Sequence, residues 1–149
     1  MPGGIRPAVL SDLARIEAIV EAAYRPYLSR MDRRPAPMDD DYARRIAEDL
    51  VFVLEEDGEI CGLLVLEAGP DHLLLDNIAV DPARHRRGIG RRLITFTEDE
   101  ARRRGNDRIE LFTNEVMAEN IAMYLHLGYI ETGRRRDRGY DRVYFRKTL

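Results

Sequence analysis

A chain of 149 residues, 44% hydrophobic and 34% charged, has the size and apolar content of one globular domain, 1–149, which excludes a disordered polymer. A formal net charge of -3 argues against a dedicated nucleic-acid binder, and no apolar run approaches the roughly 20 residues of a membrane span. A lone cysteine excludes an internal disulfide, the three histidines lack metal-ligand spacing, and no signal-peptide pattern opens the chain, so a cytoplasmic protein without a metal is expected.

Ile5 to Val9 reads as a first strand, and Ser11-Asp12 as a helix N-cap. Leu13, Ile16, Val20, Ala23 and Tyr27 then recur at helical spacing. The stretch Arg30 to Met38, with two prolines and several charges, is a loop, and a second helix is expected over Asp40 to Leu50. Strands follow at Val51 to Glu55 and Glu59 to Glu67 across the turn Glu56-Asp57-Gly58. Cys61 lies inside the second of these, where a thiol behaves as a small buried hydrophobe. Leu73 to Val80 is apolar on both faces and therefore a central strand.

After that strand the chain turns at Asp81-Pro82, passes His85-Arg86-Arg87-Gly88-Ile89-Gly90, and enters a helix with Ile89, Leu93, Phe96 and Ala101 inward and Gly105 at its end. Strand, glycine turn and helix N-terminus in that order arrange main-chain amides and the helix dipole to hold phosphate. The arginines here suit such a ligand, whereas those at Arg102 to Arg104 and Arg134 to Arg138 read as solvated surface. Arg108 to Thr113 is a fifth strand; Ala118, Ile121, Ala122 and Leu125 mark a helix closed by Gly128; strands at Tyr129 to Gly133 and Tyr140 to Arg146 complete the chain. Seven strands and four helices in this order imply an α/β fold of the α+β type, a mixed sheet covered on both faces.

The turn contains neither a complete G-x-x-x-x-G-K-[ST] nor a third glycine for G-x-G-x-x-G. The pattern [basic]-x-x-G-x-[G/A] between strand and helix resembles the pyrophosphate loop of the GNAT superfamily of N-acetyltransferases, with His85 where glutamine or arginine is usual. A second segment, Thr113 to Tyr129, is similar to the family's helix ending in tyrosine, three residues, glycine and an aromatic, here Tyr124, Gly128 and Tyr129. The element order is also that of the family's fold.

The resemblance implies that acetyl-CoA is the acyl donor and that the acceptor is a primary amine of a small molecule or peptide, which attacks the thioester directly. It implies coenzyme contacts from Ile78, Ala79 and Val80, from His85, Arg86, Arg87, Gly88, Ile89, Gly90 and Arg91, and from Asn120. It also implies that Tyr124 is the general acid, the alternative being a core tyrosine at helical spacing. Asn120 lies four residues before Tyr124 and shares its helix face; its alternative is a surface asparagine. Asn114 is assigned to capping.

Acceptor selection in this fold comes from the region between the first helices, here Tyr27, Arg33, Arg34, Met38 and Tyr42. Paired arginines could receive a substrate carboxylate, or form an exposed basic loop. The final hairpin could close the pocket or extend a sheet across a homodimer. An alkyl amine near pKa 10.4 must be deprotonated at a cost of about 4.6 kcal/mol at pH 7. Where many relatives carry a glutamate base this chain has Asn77, placed on the substrate side, and Asp76 points to the opposite face of a regular strand. A water or a residue of the first helices is therefore expected as base. A non-catalytic acyl-CoA-binding module is the alternative function.

Overall fold

The computed structural model describes residues 4–84 and 88–149. In chain order its regular elements are β1 (Ile5–Pro7), α1 (Leu13–Tyr24), α2 (Tyr42–Ala47), β2 (Val51–Glu56), β3 (Glu59–Ala68), β4 (Leu73–Val80), α3 (Ile89–Arg103), β5 (Arg108–Asn114), α4 (Ala118–His126), β6 (Ile130–Asp137) and β7 (Tyr140–Thr148). The strands form one sheet in the order β1-β2-β3-β4-β5-β7-β6, antiparallel except where β4 runs parallel to β5. A parallel pair needs a crossover, and α3 supplies it.

Two apolar clusters cover the two faces. On one, Ile89, Leu93, Ile94 and Ala101 of α3 and Tyr124 of α4 pack on Leu64, Leu66, Leu73, Leu75 and Leu111. On the other, Ile16, Ile19 and Val20 of α1 and Tyr42 and Ile46 of α2 pack on Val51, Val53, Leu63 and Val65. At about 1.5–3 kcal/mol for each large side chain fully buried, these stripes are what hold the helices to the sheet.

Several element boundaries differ from the sequence reading for local reasons. The first helix ends at Tyr24, before Arg25-Pro26, so its buried stripe is Ile16, Ile19, Val20 and Tyr24, while Tyr27 sits in a following 3-10 turn. Arg25 keeps α-region angles and donates its N–H to Glu21, but Pro26 has no N–H to donate back to Ala22, so the α-helical ladder stops there and a 3-10 turn follows. The second helix spans only Tyr42–Ala47, because Asp49 adopts φ 60° two residues later. Arg134 to Asp137 extend β6 and pair with β7, so this part of the arginine cluster lies on the sheet's edge strand. Charges along an edge strand oppose edge-to-edge pairing with another copy.

The tyrosine-to-aromatic spacing at the end of α4 has a direct structural cause. The Gly128 N–H donates to the Leu125 carbonyl at 3.1 Å and the Tyr129 N–H to the Tyr124 carbonyl at 3.0 Å, with Gly128 at φ 93°. This is a Schellman cap with Tyr124 and Tyr129 as its apolar pair, their rings 6.0 Å apart. The Tyr129 hydroxyl donates to Glu98 of α3 at 3.1 Å, so the cap that fixes Tyr124 is tied to the helix that follows the glycine turn.

Candidate active site

The site begins with a fault in β4. Val65 of β3 stands opposite Asn77, but the next residue, Leu66, stands opposite Leu75, which leaves Asp76 as an extra residue, a β-bulge. Side chains on either side of a bulge lose strict alternation. Leu73 and Leu75 therefore face the α3 and α4 core, while Ala79 faces the α1 and α2 core. Asp76 and Asn77 both face α1 and α2: Asp76 lies 3.5 Å from Nη2 of Arg45, and the Asn77 amide donates to the Tyr42 hydroxyl at 3.0 Å. The expectation that Asp76 points away from Asn77 is thus corrected, because it assumed a regular strand.

The same stretch of β4 loses its other neighbour. Parallel pairing with β5 covers only Leu73 to Leu75 against Ile109 to Leu111, after which the strands separate. A cleft of about 600 Å³ opens at this splay, lined from one face by Tyr24, Asp76 and Asn77 and from the other by Asn120 and Tyr124. Ile78 also lines it, whereas Ala79 and Val80 do not.

Asp76 keeps 19% of its side-chain surface. Burial raises its carboxyl above the usual range, Arg45 and Arg142 pull it back, and Glu67 and Asp40 push it further up. Arg45 is shared among Asp40 at 3.2 Å, Glu67 and Asp76, so it neutralises no single one of them.

Tyr124 is 3% exposed, and burial drives its phenol above the ordinary tyrosine value. Its ring packs on Tyr129 and Phe145, and among the described residues its hydroxyl has no hydrogen-bond partner. Tyr24 approaches it from the opposite face, and Tyr124 is one of the groups that raise the Tyr24 phenol after burial.

Sequence reasoning did not single out Tyr24. Its hydroxyl donates to Asn77 Oδ1, the Asn77 amide donates on to Tyr42, and the Tyr42 hydroxyl donates to the Pro37 carbonyl at 2.6 Å. Both ends of the Asn77 amide are therefore engaged, the oxygen with α1 through Tyr24 and the NH2 with the Pro35 to Asp39 turn through Tyr42. Tyr42 is buried within this chain of bonds rather than along the cleft wall. The signal for Tyr24 was present in Pro26, which ends the helix one turn earlier than the stripe through Tyr27 assumed.

The other expected acceptor residues are engaged elsewhere. Tyr27 donates to Glu119 at 3.2 Å, joining the 3-10 turn after α1 to α4, and Met38 packs on the α1 and α2 core. Arg34 pairs with Glu21 and Asp39. Arg33 stacks over Tyr140, 4.2 Å from its ring centre, and donates to the Arg138 carbonyl.

On the donor side, Gly88 caps α3 in the left-handed conformation, φ 68°, and a Cβ there would meet nothing within 4 Å among the described residues. The first turn of α3 presents main-chain amides at its positive end, the arrangement that suits an anion. Gly90 lies against Met123 of α4 and Val80 of β4, so the three segments expected to hold coenzyme converge there. The Ile89 side chain is in the core, leaving its main chain for contact, and Arg91 is exposed. His85, Arg86 and Arg87 lie outside the described residues. Asn120 lines the cleft with its amide near Met117 sulfur, 3.7 Å away, and Asn114 Oδ1 accepts from the Val116 N–H, closing the turn before α4. Cys61 is buried, and that burial raises its thiol.

The chain is similar to known proteins of one family. Residues 14–129 match the family model described as the acetyltransferase (GNAT) family. The probable N-acetyltransferase 14 of Xenopus tropicalis is 35% identical over 102 residues, covering 66% of this chain and 49% of that protein. The [ribosomal protein bS18]-alanine N-acetyltransferase of Escherichia coli K12 is 35% identical over 88 residues, 59% of this chain and 60% of its own length. The matched stretch thus spans 49% to 60% of the length of these curated relatives. Among solved structures, the E. coli ribosomal-protein-S18-alanine N-acetyltransferase superposes with a TM-score of 0.79 at 25% identity, over 99% of this chain and 94% of that one. The PaiA N-acetyltransferase of Thermoplasma acidophilum, in complex with coenzyme A, shares the fold over the whole of both chains with a TM-score of 0.83 at 14% identity.

Proposed function

The chain belongs to the GNAT acetyltransferase family, and from that premise we propose that it transfers an acetyl group from acetyl-CoA to a primary amine of a small molecule or peptide, as a single domain. The observation that carries this reading is the meeting of Asp76 and Tyr124, from opposite faces of the sheet, on one cleft at the β4–β5 splay. When bound, acetyl-CoA supplies a thioester that is already activated, so the chain needs no serine or cysteine nucleophile.

Each remaining task has a residue of this chain. Asp76 takes the proton from the attacking amine; its raised pKa narrows the gap to an ammonium near 10.4. The main-chain N–H of Ile78, on the edge of β4 that β5 has left, is the donor toward the developing oxyanion. Tyr124 presents its unpartnered hydroxyl to the departing sulfur. The ammonium passes one proton through Asp76 to solvent, and the neutral amine adds to the thioester carbonyl. The oxyanion re-forms the carbonyl as the C–S bond breaks, the nitrogen gives its second proton to Asp76, and the thiolate leaves hydrogen-bonded to Tyr124 and is protonated by solvent.

Gly88 and the first turn of α3 hold the phosphates of the donor, and Asn120, on the cleft wall, holds its arm. No helix among the described residues is long and apolar enough to cross a membrane, which is consistent with a cytoplasmic enzyme. Asn77, which cannot serve as base, favours a binding module without catalysis; Asp76 on the same cleft offers a carboxylate in its stead. Incubation with acetyl-CoA and a panel of amines should release free thiol matched mole for mole by acetylated amine. Coenzyme binding without any acetylated product would favour the binding module instead.

A further inference from the structure

Three non-glycine residues have positive φ among the described residues: Asp49, Asp57 and Arg138, at 60°, 53° and 52°. Aspartate tolerates this conformation because its short side chain can bond locally. Arginine has no such excuse. Arg138 and Gly139, φ 83°, form the two-residue turn between β6 and β7, a place where Asn-Gly or Asp-Gly is the favoured pair. The chain uses that favoured pair at Asp57-Gly58, the other two-residue hairpin. A strained backbone carrying a long cation is a reason to ask what the cation does.

Arg138 lines the same cleft as Asp76 and Tyr124. The other cleft arginines are paired: Arg45 with Asp40, Glu67 and Asp76, Arg142 with Asp137 at 2.9 Å, and Arg44 with Glu48 at 3.6 Å. Among the described residues the Arg138 guanidinium has no ion-pair or hydrogen-bond partner. Its backbone, by contrast, is held. Arg33 donates to the Arg138 carbonyl at 3.1 Å while stacking on Tyr140, and the Tyr140 hydroxyl donates to the Arg34 carbonyl. A Cβ on Gly139 would lie 2.1 Å from Arg33 Nη1, so glycine there is what allows the clamp.

We propose that Arg138 receives a carboxylate of the acceptor, so that the substrate is an amine bearing a carboxylate, its nitrogen directed to Asp76 and its anion to the tip of the β6–β7 hairpin. This rests on the acetyl-transfer reading above. The fork of a guanidinium matches a carboxylate with two parallel bonds, and an unpaired arginine in a cleft rich in acidic side chains selects against acceptors without an anion to offer. Arg33 and Arg34, expected from the sequence to receive such a group, instead position the residue that does. The carboxylate can come from a free amino acid or from an acidic side chain near a peptide N-terminus.

Arg138→Asn tests the assignment without threatening the fold, since Asn-Gly is the preferred turn of this type. The probes are amino acids, their carboxamides, their decarboxylated amines, and peptides with an acidic or a neutral second residue. The wild-type protein should favour carboxylated probes over the matched neutral ones by about tenfold or more in kcat/KM, as expected for a charge-assisted pair. In Arg138→Asn that preference should collapse toward one, through a raised acceptor KM, while the acetyl-CoA Kd holds within about twofold. Preference among free amino acids or among peptides identifies the source. Acetylation without carboxylate preference, or a preference that survives in Arg138→Asn, overturns the proposal. If nothing is acetylated, calorimetry with the same probes decides: carboxylate binding lost in Arg138→Asn sustains the site while the acetyl-transfer reading fails, and absence of such binding overturns both.

Discussion

Asp76→Asn is expected to lower kcat/KM for the acceptor by about 10²–10⁴-fold, the range for loss of a general base. Its pH profile should carry the sharper signature. Burial raises the Asp76 carboxyl in the folded protein, and the base form exists only above that raised pKa. The acid limb of kcat/KM should therefore lie above the ordinary carboxylate value of about 3.9 and disappear in the variant. The sign for stability runs the other way. A carboxyl whose folded pKa exceeds its unfolded one favours the folded state below the unfolded pKa, and that contribution is lost as pH rises through the folded pKa. At neutral pH the wild-type protein therefore carries an ionised group it would rather not bury. Asp76→Asn should keep its Tm there or raise it, since Arg45 retains Asp40 and Glu67. Unchanged kcat/KM, or an acid limb that persists in the variant, would remove Asp76 as the base.

Tyr124→Phe is expected to lower kcat by about 10- to 100-fold with little change in acetyl-CoA affinity. The magnitude follows from a hydrogen bond to a charged group, about 1.5–3 kcal/mol. Burial pushes the Tyr124 phenol above its ordinary value, well over the roughly 8.5 of a thiol. Full proton transfer from tyrosine to the leaving sulfur is thus uphill, and the role that fits is a hydrogen-bond donor realised as charge grows on sulfur. Because the hydroxyl has no partner among the described residues, its removal orphans nothing, and the phenylalanine ring keeps the contacts with Tyr129 and Phe145. Steady-state kinetics beside a thermal melt check this: an unchanged kcat removes the assignment, and a lowered Tm would point to a packing role instead.

What was legible in the sequence was what local chemistry writes there. The glycine turn before α3 and the tyrosine-to-aromatic spacing of α4 both encode backbone geometry, a left-handed N-cap and a Schellman cap, so they could be read without coordinates. A run apolar on both faces likewise located β4 at Leu73 to Val80. Asp76 was beyond such reading, because a bulge depends on how Val65 and Leu66 register against the strand, and the rule of alternation gave the wrong face. The unusual signal was there nonetheless: two polar residues, Asp76 and Asn77, inside an otherwise apolar central strand. The arginines near the acceptor cleft failed for a related reason. Arg33 and Arg34 stand in a loop of the right region, but only the folded chain shows them clamping the hairpin that carries Arg138.

Coenzyme at the splayed edge of β4, with its phosphates at the first turn of α3, is the condition for every role assigned to Asp76, Ile78 and Tyr124. Calorimetric titration of the purified protein with acetyl-CoA tests it most directly. One saturable site per chain is expected, retained in Asp76→Asn and Tyr124→Phe; no binding at millimolar acetyl-CoA would contradict the assignment of this cleft.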